Sequence, residues 1–367
     1  MNKARHVLGI SGGKDSAALA IYLFQKYPQL QVDYYTCDTG KEMDETYELL
    51  DRLESYLGKK FTVLKAAENS PEASFDHFLK MYGGYLPSSN ARWCTKKLKL
   101  EPFEKYIGND PVISYVGIRA DEDREGYISH KQTVQSIFPF RKNIWSEELM
   151  TKFLSNANLD LAQSLLSEVS IGRKRAPFER LLVKRLESGF NQKAKLEQLL
   201  NLGVKDFNQL VFRFLKTTSY PLSLEEDFPL LENEEELILK DIYGLLTSSG
   251  VGIPAYYNKV TFETEIGQGQ YARSRSGCFF CFFQQKIEWV WLLEQHTQRF
   301  LKAMEYEDEK AGFTWNQNES LRELMQPERI KAIKEEYISR RTDNKQSPYL
   351  LDILGDEESE GCAACFI

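Results

Sequence analysis

The sequence predicts an α/β protein with a parallel, doubly wound sheet, a large all-helical insertion and a C-terminal helical segment that contains cysteines. Three observations lead to this prediction. Apolar strands alternate with amphipathic helices up to about residue 140, only helical patterns follow up to about residue 250, and a Cys-x-x-Cys pair comes next. Alternating strand–helix units form parallel sheets that bind ligands at the carboxyl ends of their strands.

The alternation defines the elements of the first part of the chain. We predict strands at residues 5–10, 31–37, 61–66, 111–117 and 136–140, with helices at 14–27, 43–57, 73–82 and 97–107. Strand signals then stop, and helices are predicted at Glu147–Ser155, Leu159–Val169, Phe178–Glu187, Lys193–Leu202 and Lys205–Leu215. We therefore divide the chain into an α/β domain (1–142), a helical insertion (143–250) and a cysteine-containing C-terminal segment (251–367).

The composition is that of a globular protein. The 367 residues are 42% hydrophobic and 28% charged, with a net charge of −7. No apolar run reaches the roughly 18 residues that a membrane-spanning helix needs. The residues before the first strand lack the features of a secretory signal, so we expect a cytoplasmic protein without membrane contact. In that compartment, six cysteines are more often metal ligands or redox groups than disulfides.

The turn after the first strand has the chemistry of a phosphate-binding loop. This phosphate loop is Ser11-Gly12-Gly13-Lys14-Asp15-Ser16. Paired glycines let successive backbone N–H groups converge, and the helix that follows adds the partial positive charge of its N-terminus. Ser11 and Ser16 can donate hydroxyl hydrogens, Lys14 offers a positive charge, and Asp15 could hold Mg²⁺. A Walker loop is excluded because Asp15 follows Lys14, and the G-x-G-x-x-G dinucleotide pattern is absent.

Four motifs together resemble those of the ATP pyrophosphatases and the PAPS-reductase-like proteins, the PP-loop (adenine nucleotide α-hydrolase-like) superfamily. They are S-G-G-x-D-S in the phosphate loop, Asp38-Thr39-Gly40-Lys41-Glu42, Arg92-Trp93-Cys94 and Gly117-Ile118-Arg119-Ala120-Asp121-Glu122. The resemblance covers residues 1 to about 140 and again about 250 to 300. It implies a PP-loop or HUP-like fold that binds ATP and Mg²⁺.

The resemblance, together with the position of each motif after a strand, assigns residues to the nucleotide site. We expect nucleotide contacts from Ser11, Gly12, Gly13, Lys14, Asp15, Ser16, Asp38, Thr39, Gly40, Arg92, Gly117 and Arg119. Catalytic roles are expected for Lys14, Asp15 and Arg119. The histidines His6, His77, His130 and His296 show no ligand spacing and receive no catalytic role.

The cysteines predict a second layer of chemistry. Cys278 and Cys281 lie on one tight turn, and Cys94 from a distant loop could join them around a soft metal. Adenylyl-sulfate reductases of the superfamily hold a 4Fe–4S cluster with a Cys-Cys pair and a later Cys-x-x-Cys. Here Trp93 replaces one of those cysteines. The resulting three-cysteine set resembles that of PP-loop sulfurtransferases, with the DNA phosphorothioation enzymes as the relatives we favour.

Two other interpretations of the cysteines stay open. A structural Zn²⁺ site could use Cys278, Cys281, Cys362 and Cys365, since paired Cys-x-x-Cys spacing suits zinc as well as a cluster. Cys362 and Cys365 could instead form a redox tail, although the tail pattern of the sulfonucleotide reductases is missing. Cys37 ends an apolar strand and is expected to be an inert thiol. The aromatic run Phe279–Phe283, with Trp289 and Trp291, is expected to be core rather than a stacking platform.

The insertion contains a basic segment, residues 171–216. It has eleven Lys or Arg residues against four acidic ones. Clustered positive charge predicts contact with a nucleic-acid backbone. The competing interpretation is a solvated helix face paired with the acidic residues of the stretch that follows, from Glu225 to Glu236.

We therefore predict an ATP-dependent, AMP-forming sulfurtransferase. A substrate oxygen, with nucleic acid as one candidate substrate, would attack the α-phosphate of ATP and release pyrophosphate, and a sulfur nucleophile would then displace AMP. A cysteine desulfurase or another sulfur donor is the expected partner. The alternatives are a reductase of adenylyl sulfate or its phosphorylated form, and a non-catalytic nucleotide-binding subunit of a defence complex.

Overall fold

The central sheet is parallel and has the predicted strands. The structure is a computed structural model that describes residues 3–123, 131–169, 174–317 and 319–346. The strands are β1 (Arg5–Gly9), β2 (Val32–Asp38), β3 (Thr62–Lys65), β4 (Val112–Tyr115) and β5 (Val134–Ile137). Their order is β3-β2-β1-β4-β5, and every neighbouring pair is parallel. The α/β prediction is confirmed, with β5 slightly earlier in the chain than expected.

Helices connect the first four strands as crossovers. They are α1 (Lys14–Lys26), α2 (Asp44–Leu57), α3 (Ser74–Met81) and α4 (Trp93–Thr95), which continues through a π-helical turn (Lys96–Leu100) into α5 (Glu101–Ile107). Because β2 lies on one side of β1 and β4 on the other, the chain leaves the sheet centre in both directions. The loops after β1 and β4 therefore diverge at the carboxyl ends of these strands, and open α/β sheets bind ligands at such points.

The insertion is helical, as predicted. Its helices are α6 (Glu147–Phe153), α7 (Leu159–Leu166), α8 (Arg175–Leu182), α9 (Gln192–Leu202), α10 (Val204–Leu215) and α11 (Leu239–Ser248), with 3₁₀ turns at Asn156–Asn158, Pro221–Leu224 and Pro229–Glu232. Its buried residues Trp145, Phe153 and Phe207 belong to the same apolar core as Ile21 of α1 and Leu49 of α2. The insertion thus shares the core of the sheet layer, and the predicted boundaries at 142 and 250 mark changes of composition.

The C-terminal segment contains a hairpin that the sequence analysis missed. After a 3₁₀ turn (Ala255–Tyr257), β6 (Val260–Thr264) pairs with β7 (Gly267–Tyr271), and four helices follow: α12 (Lys286–Gln295), α13 (Thr297–Met304), α14 (Leu321–Leu324) and α15 (Pro327–Gln346). The predicted helical segment did not include this hairpin, because β7, with the sequence GQGQY, has no apolar alternation to reveal a strand.

A second apolar core joins this segment to the α/β domain. Phe280, Trp289 and Trp315 of the segment pack with Phe75 and Trp93 of the domain. The buried aromatic side chains fix the cysteine turn against the sheet, since large apolar surfaces removed from water dominate packing energy. Among the helices that the structure describes, none is both long and apolar enough to cross a membrane.

Candidate nucleotide and thiol site

The phosphate loop forms at the carboxyl end of β1, as predicted. Gly12 has a φ of 72°, and a Cβ atom there would lie 2.2 Å from Cγ2 of Thr46, so only glycine fits without displacement. The backbone N–H of Ser11 donates to Oγ of Ser16 at 3.2 Å, and the two hydroxyl oxygens are 3.1 Å apart. These bonds curl the loop over the start of α1. The helix N-terminus is therefore available to an anion.

Asp15 lies in a buried ion-pair cluster. Its Oδ1 accepts a hydrogen bond from Nη1 of Arg119 at 2.9 Å, and its Oδ2 lies 3.7 Å from Nζ of Lys14. The same guanidinium pairs with Asp121 at 2.9 Å and Glu122 at 3.3 Å. Arg119 is only 3% exposed, so these pairs offset the cost of burying its charge. The cluster fixes the position of the Asp15 carboxylate.

The structure shows carboxylate partners for Arg119. Its guanidinium binds three carboxylates, and the nucleotide contact expected of this residue stays a prediction. Arg141, which the sequence analysis did not single out, donates to the carbonyl oxygens of Arg119 and Glu122 at 3.3 and 2.7 Å. Gly117 lies close to the phosphate loop, because a Cβ atom there would be 3.0 Å from the carbonyl oxygen of Asp15.

The turn after β2 forms a second wall of the site. Asp38 accepts hydrogen bonds from the N–H of Gly40 at 2.8 Å and from the Tyr47 hydroxyl at 3.0 Å. Thr39 is buried and donates to Glu42 at 2.6 Å. Burial, with the nearby carboxylates of Glu42 and Asp38, raises the pKa of Tyr47. Tyr47 thus stays protonated and tethers both carboxylates.

Arg92 contacts Ser89 and Phe283. Its Nε donates to the carbonyl of Ser89 at 3.1 Å, and its guanidinium lies 5.1 Å from the ring centre of Phe283. Its described contacts therefore face the cysteine side of the molecule. The nucleotide contact expected of Arg92 stays a prediction.

The C-terminal segment docks directly onto the nucleotide loops. Nζ of Lys14 donates to the carbonyl of Ser274 at 3.3 Å, and the hydroxyl of Tyr256 donates to the carbonyl of Gly12 at 3.1 Å. A Cβ atom on Gly13 would lie 2.6 Å from Oγ of Ser276. Near the turn after β2, the N–H of Phe279 donates to the carbonyl of Lys41 at 2.9 Å. Residues some 240 to 260 positions apart thus share one site.

Three cysteines line one small cavity beside these loops. This thiol cavity is lined by Cys94, Cys278 and Cys281, together with Thr39 and the aromatic side chains of residues 280, 282, 283 and 315. The Sγ of Cys278 lies 3.2 Å from Oγ1 of Thr39. Burial, and secondly the carboxylate of Glu42, raise the pKa of the Cys278 thiol. The Cys278 thiol therefore faces the turn that follows β2.

Cys37 lies outside this cavity. Its thiol donates to the carbonyl of Lys99 at 3.8 Å, and burial raises its pKa to about 11. A protonated thiol bonded to a backbone carbonyl has no reactive form at neutral pH. This geometry agrees with the inert thiol that the sequence predicts.

The donor chemistry of the thiol cavity suits a soft metal centre. Cysteine sulfurs bind iron–sulfur clusters and zinc. Within residues 3–123, 131–169, 174–317 and 319–346, however, no group of three or more His, Cys, Asp or Glu side chains is arranged to hold a metal ion. Cys362 and Cys365 of the zinc and redox-tail interpretations lie outside the described residues, as does His130. The metal centre therefore stays a prediction.

The basic segment divides into internal and exposed charges. Lys195 is fully buried, donates to the carbonyl of Lys184 at 2.7 Å, and has a pKa that burial lowers to about 8. Lys205 pairs with Glu232 at 3.2 Å and Glu234 at 3.7 Å, as the competing interpretation expected. Residues 171–173 lie outside the described residues. Exposed side chains that remain include Lys174, Arg180, Arg185, Lys193 and Arg213.

The comparisons with known proteins each cover less than half of this chain. The family model of the phosphoadenosine phosphosulfate reductase domain matches residues 5–161. An uncharacterized protein of Methanocaldococcus jannaschii is 35% identical over 32% of this chain and 23% of its own length. The tRNA-specific 2-thiouridylase of Actinobacillus pleuropneumoniae is 26% identical over 37% of this chain and 42% of its own.

A third relative is named for a different activity. The adenosine 5′-phosphosulfate reductase of Staphylococcus haemolyticus is 23% identical over 42% of this chain and 62% of its own length. This chain thus spans less than two thirds of each of these three relatives. No solved structure matches it.

Proposed function

Because residues 5–161 belong to the phosphoadenosine phosphosulfate reductase-like branch of the PP-loop superfamily, we propose that the protein is an ATP-dependent, AMP-forming enzyme that activates a substrate for sulfur transfer. The observation that carries the proposal is the contact between the nucleotide loops and the cysteine turn. The Sγ of Cys278 lies 3.2 Å from Oγ1 of Thr39, and a Cβ atom on Gly13 would lie 2.6 Å from Oγ of Ser276. A nucleotide-binding module alone would not need thiols at this position.

The first step is adenylation. A substrate oxygen forms a bond to the α-phosphorus of ATP, the bond to the oxygen bridging to the β-phosphorus breaks, and pyrophosphate leaves with that oxygen. The backbone N–H groups of the phosphate loop and the ammonium of Lys14 stabilise the charge on the phosphates. Lys14 is held for this role by Ser274 and by the ring of Tyr257, 4.9 Å away.

Asp15 is the carboxylate that would hold magnesium together with the phosphates. Magnesium bound to nucleotides takes one or two protein carboxylates and keeps most of its other ligands from phosphate and water, so a site of three protein ligands is not required. When bound, the metal supplies positive charge to the leaving group. Arg119 is a positioning residue, since its bonds to Asp121 and Glu122 aim its Nη1 at Asp15.

The second step is sulfur transfer. A sulfur nucleophile forms a bond to the activated substrate carbon or phosphorus, and AMP leaves with the oxygen that was adenylated. Cys94, Cys278 and Cys281 are the residues that would hold an iron–sulfur cluster. The cluster would carry a sulfide, formed when a thiol reductant gives two electrons to the persulfide sulfur that a cysteine desulfurase delivers, or taken directly from a sulfide donor. The thiol cavity places these side chains beside the turn after β2.

Nucleic acid is the substrate we propose. It is supported by the likeness to a tRNA-specific 2-thiouridylase and by the exposed positive charges of the insertion. The DNA phosphorothioation relationship belongs to the same proposal. Reduction of a sulfonucleotide is the second candidate, and the likeness to an adenosine 5′-phosphosulfate reductase favours it.

The test is anaerobic turnover with α-labelled ATP, a cysteine desulfurase, labelled cysteine, a thiol reductant and total nucleic acid. We expect AMP, pyrophosphate and labelled nucleic acid together, and Asp15→Asn should lower pyrophosphate release about 100-fold or more. Asp33→Asn, an exposed aspartate on β2, is the matched control and should keep parental turnover. Sulfite release from adenylyl sulfate with thioredoxin would favour the second candidate. ATP binding without cleavage would overturn both.

A further inference from the structure

A wide groove lies next to the thiol cavity and has no role in the chemistry above. This amide groove has a volume of about 640 Å³ and is lined by residues 85–86, 88–90, 274–275, 282–285 and 312–317. It shares Phe282, Phe283 and Trp315 with the thiol cavity. Its Ser274 is the residue whose carbonyl accepts from Lys14. The groove therefore borders both halves of the proposed site.

The groove contains amide groups that the protein does not satisfy. Gln284 is only 9% exposed, and neither its Nε2 nor its Oε1 has a hydrogen-bond partner among the described residues. Nδ2 of Asn316, on the facing loop, is also without a partner there. Buried polar groups are normally paired, because an unmet donor or acceptor costs stability. A side-chain amide offers one acceptor and two donors in a plane, which suits a ligand with a flat hydrogen-bonding edge.

Flat apolar surfaces flank these amides. Phe282 and Phe283, expected from the sequence to be core, are only partly buried, and their ring centres are 4.4 Å apart. Phe283 also carries the guanidinium of Arg92 at 5.1 Å. Tyr85 at the groove is 41% exposed. Aromatic faces and arginine planes of this kind stack on planar rings.

The charge of the groove narrows the class of ligand. Among the lining residues that the structure describes, one, Arg275, is charged. A phosphate group would want several cations, and a purely apolar ligand would leave the amides unmet. A planar heterocycle with a donor and an acceptor on one edge can stack on the aromatic rings and form hydrogen bonds with the amides.

We propose that the amide groove binds a nucleobase, which stacks on Phe283 and pairs its edge with the amide of Gln284. The inference rests on the proposed function, because the base would belong to the substrate that the thiol cavity sulfurates. A free nucleotide and a single-stranded nucleic acid both present this chemistry. The adenine of ATP is a third source, and it would make the groove part of the nucleotide site.

The experiment measures binding by the full chain without ATP. The probes are fluorescein-labelled RNA and DNA homopolymers of about ten nucleotides, long enough to cover one typical single-strand site. We expect Phe283→Leu and Gln284→Met to weaken binding about ten-fold or more, with Gln284→Met changing the preference among bases. The matched controls are Phe24→Leu, an exposed phenylalanine on α1, and Gln198→Met, an exposed glutamine on α9; both should bind as the parent does.

Competition identifies the source of the base. If unlabelled nucleoside monophosphates displace the probe as well as unlabelled strands do, a free nucleotide is the ligand; if only strands displace it, a nucleic acid is. Both results support the groove as a base site. ATP is tested as a competitor with EDTA present, at the ATP concentration that saturates the phosphate loop. If ATP displaces the probe, the groove belongs to the nucleotide site, and the proposal of a separate base site is overturned. Parental binding by both groove variants would overturn the proposal outright.

Thermal unfolding separates a ligand role from a structural one. Because Gln284 has no side-chain partner in the described structure, Gln284→Met should keep or raise the unfolding midpoint while binding falls. A lowered midpoint would indicate that the amide serves the fold and would overturn the proposal. Binding without any pyrophosphate release would leave the base site intact and refute the proposed function alone, so the two can fail independently.

Discussion

The insertion and the C-terminal segment both pack against the α/β domain, but they contact different parts of the proposed site. The insertion shares an apolar core with the sheet layer and contacts the turn after β4, where the N–H of Ala120 donates to the carbonyl of Leu237 at 3.0 Å. The C-terminal segment reaches the centre of that site with hydrogen bonds to residues 12, 14 and 41. Changes in the segment should therefore alter the chemistry, and changes in the insertion should alter partner binding or stability.

The largest expected effect is on sulfur transfer. Cys278→Ala removes the thiol that faces Thr39, so sulfur transfer should fall more than about 100-fold, as happens when an essential group is removed, while ATP affinity stays at the parental value. The measurement is transfer of labelled sulfur alongside equilibrium binding of ATP. Cys37→Ala, a buried thiol outside the cavity, is the control. Equal loss in both variants would show that the cavity has no special role.

The second largest effect is expected when the buried guanidinium of Arg119 is removed. Arg119→Met leaves Asp15 without its 2.9 Å partner in the buried cluster, so the free energy of unfolding should fall by about 3 kcal/mol or more. Arg5→Met is the matched control, because its pairs with Asp33 and Asp110 are solvent-exposed and worth at most about 1 kcal/mol. Urea unfolding measures both. Similar losses would contradict a special role for the buried pair.

The sequence predicts the local elements of the sheet and of the phosphate loop, but it does not predict contacts between segments that lie far apart in the chain. Local patterns specify β1, α1 and the phosphate loop, because glycine positions and apolar spacing act within a few residues. The hydrogen bond of Lys14 to Ser274 joins residues 260 positions apart, and no local pattern reports it. The hairpin was missed because β7 lacks alternation. The pairing of Arg119 with Asp15 was missed because the two residues belong to separate motifs, and neither motif indicates that their side chains meet.

A smaller effect is expected from the exposed charges of the insertion. Lys174, Arg180 and Arg185 are exposed, and reversing them to Glu should weaken nucleic-acid binding about equally for all sequences. The slope of affinity against salt should fall by about 1 for each phosphate that the variant no longer neutralises. Reversal of Lys80, Lys302 and Lys310, exposed outside the insertion, is the control. Parental affinity in the first variant would assign these charges to a solvated face.

The smallest effect concerns the buried amine of the insertion. The pKa of Lys195 is about 8 in the folded protein and 10.5 as its ordinary value, so the unfolded chain binds more protons between these pH values. The free energy of unfolding should therefore rise as the pH rises through this interval. Lys195→Met should lose that rise while pyrophosphate release stays unchanged. An identical pH profile in both proteins would contradict burial of the charge.

The central claim is that the phosphate loop and the cysteine turn form one site. Hydrogen exchange of the full chain, with and without an ATP analogue that cannot be cleaved between its α- and β-phosphates, tests it most directly. We expect the analogue to slow amide exchange in residues 11–16 and also in residues 274–281, while α9 and α10 of the insertion exchange as before. Protection confined to residues 11–16, or shared equally by α9 and α10, would refute a shared site.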